Sequence, residues 1–410
     1  MDSGLRNYLI ITGGYWAFTL TDGAIRMLVV LYFHLLGYSP LEVATLFLFY
    51  EFFGIVTNLI GGWLGTRIGL NLTMHIGMAL QIFALAMLMV PDSWLSVIYV
   101  MSAQALSGIA KDLNKMSAKA SIKTLLPKQN SDSTLFKWVA VLTGSKNALK
   151  GLGFFVGALL LETVEFRGAL AVLSGTLFIV LILSIIVLPT GLGQLKTKTK
   201  FTQIFSNRSE INWLSAARFF LFGSRDIWFV VALPVFLYSV LGWQFSEVGA
   251  YLALWVIGYG IIQASAPRLL KRSHHGMGPD GKTARYWAFI LTPLPALIAV
   301  ALHFDFLTHY ALLVGLIIFG AVFAINSAVH SYLIVAWSDL DKVSMNVGFY
   351  YMANAAGRLT GTVLSGWIYQ QYGFEACLYC ASGFVLAAAL LSNNLLIIER
   401  TAKESIHPPK

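Results

Sequence analysis

Charge is scarce in this sequence. Its 410 residues include 28 Lys and Arg and 19 Asp and Glu, so 11% are charged, against about 25% in soluble globular domains. Too little charge is present to cover a surface facing water, which excludes a cytosolic enzyme and a disordered chain. Cysteine is scarcer still. Cys377 and Cys380 are the only two, too few for the disulfide framework of a small secreted protein. Alternating apolar and polar runs are also lacking, which argues against a membrane β-barrel. What is abundant is apolar sequence: 57% hydrophobic residues and a mean hydropathy of +0.72. An all-α polytopic membrane protein is the class that remains.

A bilayer core of roughly 30 Å is crossed by about 20 apolar helical residues. Twelve runs meet that length: 8–36, 41–65, 72–90, 94–116, 134–161, 167–188, 211–240, 246–270, 286–303, 307–337, 343–370 and 374–398. Helices are expected because they satisfy their own backbone groups in lipid. Turn-forming clusters separate the runs, among them Gly37-Tyr38-Ser39-Pro40, Pro91-Asp92-Ser93 and Pro189-Thr190-Gly191. The first run has no small-residue cleavage site and exceeds the length of a leader, so it is read as a retained helix.

The net charge of +9 would point to nucleic acid in a soluble protein. Here it reads as loop charge that sets topology, and no nucleic-acid partner is expected. With both termini in the cytoplasm, nineteen basic residues fall on that side, from Arg6 and Arg67 through the 196–200 and 271–285 loops to Lys410. Only Arg167 falls opposite. This is the positive-inside asymmetry of a plasma-membrane protein. A polar stretch over 191–210 divides the chain into six-helix halves, 1–190 and 211–410. A faint repeat supports the division: Leu36-Gly37 recurs as Leu241-Gly242, Glu42-Val43 as Glu247-Val248, and Arg67 as Arg272, each 205 residues on.

Twelve helices in two halves with a basic central loop resemble the major facilitator superfamily. The loop after the second run keeps Gly62, Arg67 and Gly69 of that family's signature. Thr66 replaces its acid, and Leu70 and Asn71 replace its basic pair. A narrower resemblance lies in Gly13-Gly14-Tyr15-Trp16, Thr21-Asp22-Gly23-Ala24-Ile25-Arg26, Phe49-Tyr50-Glu51-Phe52-Phe53-Gly54 and Ser107–Lys115. These segments are similar to the ArsJ-type organoarsenical efflux permeases, over nearly the whole chain. That resemblance implies a bacterial inner-membrane exporter of 1-arseno-3-phosphoglycerate, the ester formed when a glyceraldehyde-phosphate dehydrogenase uses arsenate in place of phosphate. Outside the cell the ester decays to arsenate, so export confers resistance.

Ions inside a bilayer are costly and mark functional sites. Leaving aside Lys137, Arg167, Arg268, Glu42, Glu247 and Glu375 near run ends, the runs contain eight cations, Arg26, Lys111, Lys115, Lys146, Lys150, Arg218, Arg225 and Arg358, against four acids, Asp22, Glu51, Asp112 and Asp226. A set of purely structural ion pairs would balance more nearly, so the excess points to a cavity for a polyanion. The expected substrate ligands are Arg26, Lys111, Lys115, Lys146, Lys150, Arg225 and Arg358, with Asn326 as a hydrogen-bonding group. Arg grips an oxyanion with a planar fork and Lys acts as a point charge. Asp22, Glu51 and Asp226 are the expected proton carriers if the exporter is a proton antiporter. Each has a plainer reading. Asp22 and Arg26 share a face at i,i+4 and could neutralise each other. Arg225 and Asp226 are adjacent, splay about 100° apart and need not pair. Arg218 lies nearer the cytoplasmic end and could form only a gate pair.

Other signals carry less. Gly144, Gly151, Gly153 and Gly157 suggest close helix packing. They follow no strand, so a nucleotide fingerprint is excluded and no cofactor is expected. Cys377 and Cys380 read as apolar buried thiols. His274-His275 lack partner ligands at metal spacing, so no metal is expected. A facilitator of other organophosphates would use the same cations. A membrane-embedded enzyme would need a nucleophile, base or metal triad, and none is legible.

The charge asymmetry makes a direct prediction about topology. In a chain with Cys377 and Cys380 replaced, Tyr38→Cys should react with an impermeant thiol reagent on intact cells and Lys198→Cys should not. The reverse pattern would invert the assigned orientation.

Overall fold

The computed structural model describes residues 3–38, 45–125, 132–192, 208–243, 245–270, 278–304, 308–339 and 342–395. Among these the regular structure is helical throughout. The first helices are α1 (Ser3–Leu35), α2 (Leu48–Ile68), α3 (Leu70–Met87) and α4 (Val97–Leu125), followed by the long rod α5 (Asp132–Val187). Then come α6 (Ser209–Phe229), α7 (Ala232–Ser239), α8 (Phe245–Leu270), α9 (Gly281–Leu291), α10 (Pro293–His303), α11 (Thr308–Ala336) and a second long rod, α12 (Val343–Leu391). Both rods break at one residue with positive φ, Glu165 in α5 (φ 59°) and Gly373 in α12 (φ 80°). Two adjoining apolar runs thus meet at each break.

Two other runs are interrupted where proline dictates. Pro234 has no N–H to offer the carbonyl of residue 230, and its ring crowds the preceding turn. The helix therefore stops at Phe229 and restarts at Ala232, whose N–H is taken by Ser365 Oγ at 3.1 Å. Pro293 and Pro295 likewise divide α9 from α10 at Thr292. Joining α6 to α7 and α9 to α10, and dividing α5 and α12 at their breaks, gives twelve helical passes among the described residues. Among the described residues, eight helical stretches are long and apolar enough by themselves to cross a bilayer. α2 and α4 are not among them, and α4 alone carries Lys111, Asp112, Lys115, Lys119 and Lys123.

The chain folds into two compact units. One comprises Met1–Asn130, Ser145–Phe205 and Ser338–Met352; the other comprises Ser131–Gly144, Ser206–Trp337 and Ala353–Lys410. Each has its own apolar core. In the first unit Ile25, Leu28, Phe33, Leu85, Val100 and Phe166 close together. In the second, Trp228, Trp255, Phe319, Phe323, Cys377 and Leu378 do so. Within the first unit the substituted positions of the loop signature are used locally. Leu70 donates its N–H to Leu192 O (2.8 Å), and Asn71 Nδ2 donates to Pro189 O (2.9 Å).

The internal repeat reappears in the backbone. Gly37 ends the α1 pass at φ 89° and Gly242 ends the α7 pass at φ 72°, the left-handed conformation that favours glycine at a helix C-terminus. A second correspondence is a backbone-on-backbone crossing in each unit. A Cβ on Gly23 of α1 would lie 2.5 Å from Lys150 O of α5. One on Gly153 would lie 2.5 Å from Leu20 O, and one on Gly157 2.5 Å from Ala24 O. In the second unit a Cβ on Gly357 of α12 would strike Phe219 O of α6, and one on Gly361 would lie 2.5 Å from Gly223 O. Small residues four apart allow such approach between helices in lipid.

These crossings predict which glycines tolerate a side chain. Gly153→Val and Gly357→Val should each cost at least about 1–3 kcal/mol through overpacking and yield aggregated protein on size-exclusion chromatography in detergent. Gly175→Ala, where no atom lies within 4 Å, should elute as the parent does.

Candidate functional site: two buried ion clusters

In the first unit the crossing of α1 and α5 brings Asp22 to Lys150. Asp22 is 3% exposed, and its Oδ2 accepts from Lys150 Nζ at 3.0 Å while its Oδ1 accepts from Tyr50 Oη at 2.5 Å. Tyr50 belongs to α2 and is held close to α4 by Gly108, where a Cβ would lie 2.6 Å from Tyr50 O. Its ring carries further cations. Lys111 Nζ sits 3.8 Å from the ring centroid, and the Arg26 guanidinium 4.6 Å from it. Arg26 also reaches Glu51 at 3.5 Å. Asp22 and Arg26, on one helix face, thus take ion partners from other helices: Asp22 from α5 and Arg26 from α2. Lys111 forms no ion pair among the described residues; the aromatic face supports it, an interaction of about 0.5–2 kcal/mol. Counting Arg26, Lys111 and Lys150 against Asp22 and Glu51 leaves one positive charge. Lys146 lies one turn before Lys150 and is half-buried.

The same unit holds a second pair on α4. Lys115 Nζ donates to Asp112 Oδ1 at 2.6 Å and also lies 4.4 Å from the Tyr351 ring centroid.

The second unit repeats the design with arginine. Asp226 is fully buried. Its Oδ1 accepts from Arg225 Nε at 2.6 Å and its Oδ2 from Arg358 Nε at 2.9 Å. Arg225 and Asp226 do pair, because the long Arg side chain folds back across the splay of adjacent residues. Two guanidinium groups on one carboxylate again leave one positive charge. Arg218 is 2% exposed. Its Nε donates to Asn354 Oδ1 (2.9 Å) and its Nη1 to Ser327 Oγ (3.1 Å), with the guanidinium 3.6 Å from the Phe222 centroid. Gln263 Nε2 donates to the same Ser327 Oγ at 3.1 Å. Asn326 turns away: its amide nitrogen faces Ala284 O (3.3 Å) and its oxygen faces Ala288 N (3.2 Å), tying α11 to α9.

Tyr50 is the residue that sequence reasoning did not nominate. Its neighbours come from α1, α4 and α5, so no spacing along α2 betrays it; its one signal is a place beside Glu51 in an apolar run. Phe222 and Tyr351 were missed for the same reason. Cys377 is buried, with Sγ directed at Ser365 O (3.8 Å), and Cys380 is half-buried. His274, His275 and Lys198 lie outside the described residues. Among the described residues no group of His, Cys, Asp and Glu is arranged to hold a metal.

The fold and the sequence have relatives. No curated protein matches the sequence. Among solved structures, the human organic anion transporter MFSD10 (TETRAN) superposes with a TM-score of 0.76 at 16% identity, over 96% of this chain and 100% of that one. The Escherichia coli fucose:proton symporter gives 0.74 at 12% identity, over 96% and 99%. A bacterial homologue of the iron transporter ferroportin, outward-facing, gives 0.73 at 16% identity, over 95% and 99%. At these identities the likeness concerns the fold. The sequence itself matches the model of the Major Facilitator Superfamily over residues 11–305 and 281–410. Together with the twelve helical passes and the repeated crossing, that match places the chain in the major facilitator superfamily, as a multi-pass membrane transporter of small solutes that works by alternating access.

Proposed function

We propose that this transporter exports an organic polyanion, 1-arseno-3-phosphoglycerate, from the bacterial cytoplasm across the inner membrane, and so confers arsenate resistance. The observation that carries the reading is Lys111: a cation within a membrane helix, resting on the Tyr50 ring with no carboxylate partner among the described residues. An uncompensated cation in lipid is expensive, and a bound anion offsets that cost. The substrate offers two tetrahedral oxyanions, an acyl arsenate and a phosphate. Surplus positive charge around Tyr50 in the first unit, and around Asp226 in the second, suits such oxyanions. In this reading Arg26, Arg225 and Arg358 supply planar forks, and Lys111, Lys115, Lys146 and Lys150 supply point charges. Asn326 has no part, since its amide is spent on α9. Both termini face the cytoplasm, where the dehydrogenase makes the ester. The cysteines are not involved, because an arsenate ester binds as an oxyanion.

Arsenate tolerance tests this reading. Cells expressing the transporter with an arsenate-using glyceraldehyde-phosphate dehydrogenase should tolerate more arsenate than cells with either alone. Arg26→Lys and Arg225→Lys keep the charge but lose the fork. One charge-assisted hydrogen bond is worth about 1.5–3 kcal/mol, about ten- to a hundredfold in affinity, so tolerance should fall at matched expression. Cys377→Ala with Cys380→Ala should behave as the parent. Tolerance independent of the dehydrogenase would point instead to a facilitator of other organophosphates.

A further inference from the structure

Asp112 differs from the other acids in the membrane helices. Asp22 and Asp226 each have both oxygens bonded, and Glu51 is paired with Arg26. Asp112 is 1% exposed, and its Oδ1 is taken by Lys115. Its Oδ2 is buried and has no hydrogen-bond partner among the described residues. The carboxylate therefore relies on one ammonium, three residues along its own helix. That ammonium has a second seat, the Tyr351 ring at 4.4 Å, and its side chain is 12% exposed where Asp112 is 1%.

We infer that Asp112 takes up a proton as the polyanion draws Lys115 away. The inference takes the polyanion site proposed above as given and adds its coupling. An anion arriving at Lys115 competes with Asp112 for the same ammonium. If the anion wins, Asp112 is left as a buried carboxylate with neither cation nor hydrogen bond, a state that is strongly unfavourable inside a membrane. A proton on Asp112 removes the charge. Lys115 stays an ammonium throughout, so the proton comes from water. Anion binding and protonation thus favour each other, and by linkage each raises the affinity for the other by the same factor.

The surroundings fit a single titrating group. α4 packs against α1, α2 and α3. On α1 the ionisable neighbours of the site are Tyr15, Asp22 and Arg26; Asp22 is held by Lys150, and Arg26 reaches Glu51. On α2 they are Tyr50, which donates to Asp22, and Glu51. α3 contributes His75 as its sole titratable residue. On α4 itself Lys111 rests on Tyr50 and Lys119, two turns beyond Asp112, is buried; from α12, Tyr351 faces Lys115.

The test uses the full chain in lipid nanodiscs and a weakly buffered solution containing a pH indicator. The probes are 2,3-bisphosphoglycerate, 3-phosphoglycerate, inorganic phosphate and glucose 6-phosphate. The parent should take up about one more proton per bound 2,3-bisphosphoglycerate than Asp112→Asn does. This difference removes the probe's own phosphate ionisation near pH 6. Affinity should weaken with rising pH about tenfold per unit more steeply in the parent than in Asp112→Asn. Lys115→Gln, a second route should Asp112→Asn fold poorly, should also abolish the extra uptake, since no ammonium is then drawn away. Asp92→Asn, whose exposed carboxylate pairs with Arg167 outside both clusters, should keep it. Binding without extra proton uptake in the parent, or undiminished uptake in Asp112→Asn, would overturn the inference and leave the polyanion site standing. Extra uptake with glucose 6-phosphate bound as tightly as 2,3-bisphosphoglycerate would support the Asp112–Lys115 pair and contradict the substrate reading. Binding of none of the four probes would contradict both.

Discussion

The ion clusters depend on a contact between two backbones. Where α1 crosses α5, and where α6 crosses α12, glycine on both helices removes the side chains that would hold them apart. Asp22 adjoins Gly23, and Lys150 lies three residues before Gly153; Asp226 lies three residues after Gly223, and Arg358 adjoins Gly357. The crossing thus delivers a carboxylate of one helix to a cation of another in each unit, Asp22 to Lys150 and Asp226 to Arg358. With larger residues the axes would stand farther apart, and the ions would lie buried without partners. The same spacing principle that lets helices associate in lipid therefore positions the charges.

Having satisfied its acids, each cluster keeps at least one positive charge. A chain that needed only to neutralise its ions would not retain it, because a cation at the bilayer centre costs at least about 2.5 kcal/mol. Aromatic rings lower that cost without cancelling the charge. Tyr50 supports Lys111 and Arg26, and Phe222 supports Arg218 and Arg225. Lys111, held by the ring alone, remains available to an incoming oxyanion, whereas Arg225, also bonded to Asp226, must first be released. The two clusters differ in chemistry: the first joins lysines to one arginine around a tyrosine, and the second uses guanidinium groups alone.

Much of this is legible in the sequence. The apolar runs mark the helices, and Gly37 and Gly242 are equivalent helix ends, both at positive φ. Intramembrane ions stand out in an apolar sequence, so every charged member of the two clusters can be named from it. Their partners cannot, because spacing along one helix reports only neighbours on that helix. Asp22 and Arg26 look like a pair at i,i+4 and take ion partners from elsewhere; Arg225 and Asp226 look independent and are bonded. Tyr50 has no charge to mark it, and Asn326 is polar but serves helix packing. The interruptions in the seventh and ninth runs follow from Pro234 and Pro293, whose effect on the backbone outweighs the apolar character of the runs that contain them.

The central claim is that a surplus of intramembrane cations binds a polyanion for export. Everted membrane vesicles supplied with glyceraldehyde 3-phosphate, oxidised nicotinamide cofactor, arsenate and the dehydrogenase test it most directly, with accumulated arsenic as the readout. The account predicts accumulation that requires all four, that excess 2,3-bisphosphoglycerate suppresses and excess glucose does not, and that Lys111→Met reduces at matched expression. Accumulation unchanged in Lys111→Met, or suppressed by glucose as strongly as by the bisphosphate, would contradict it.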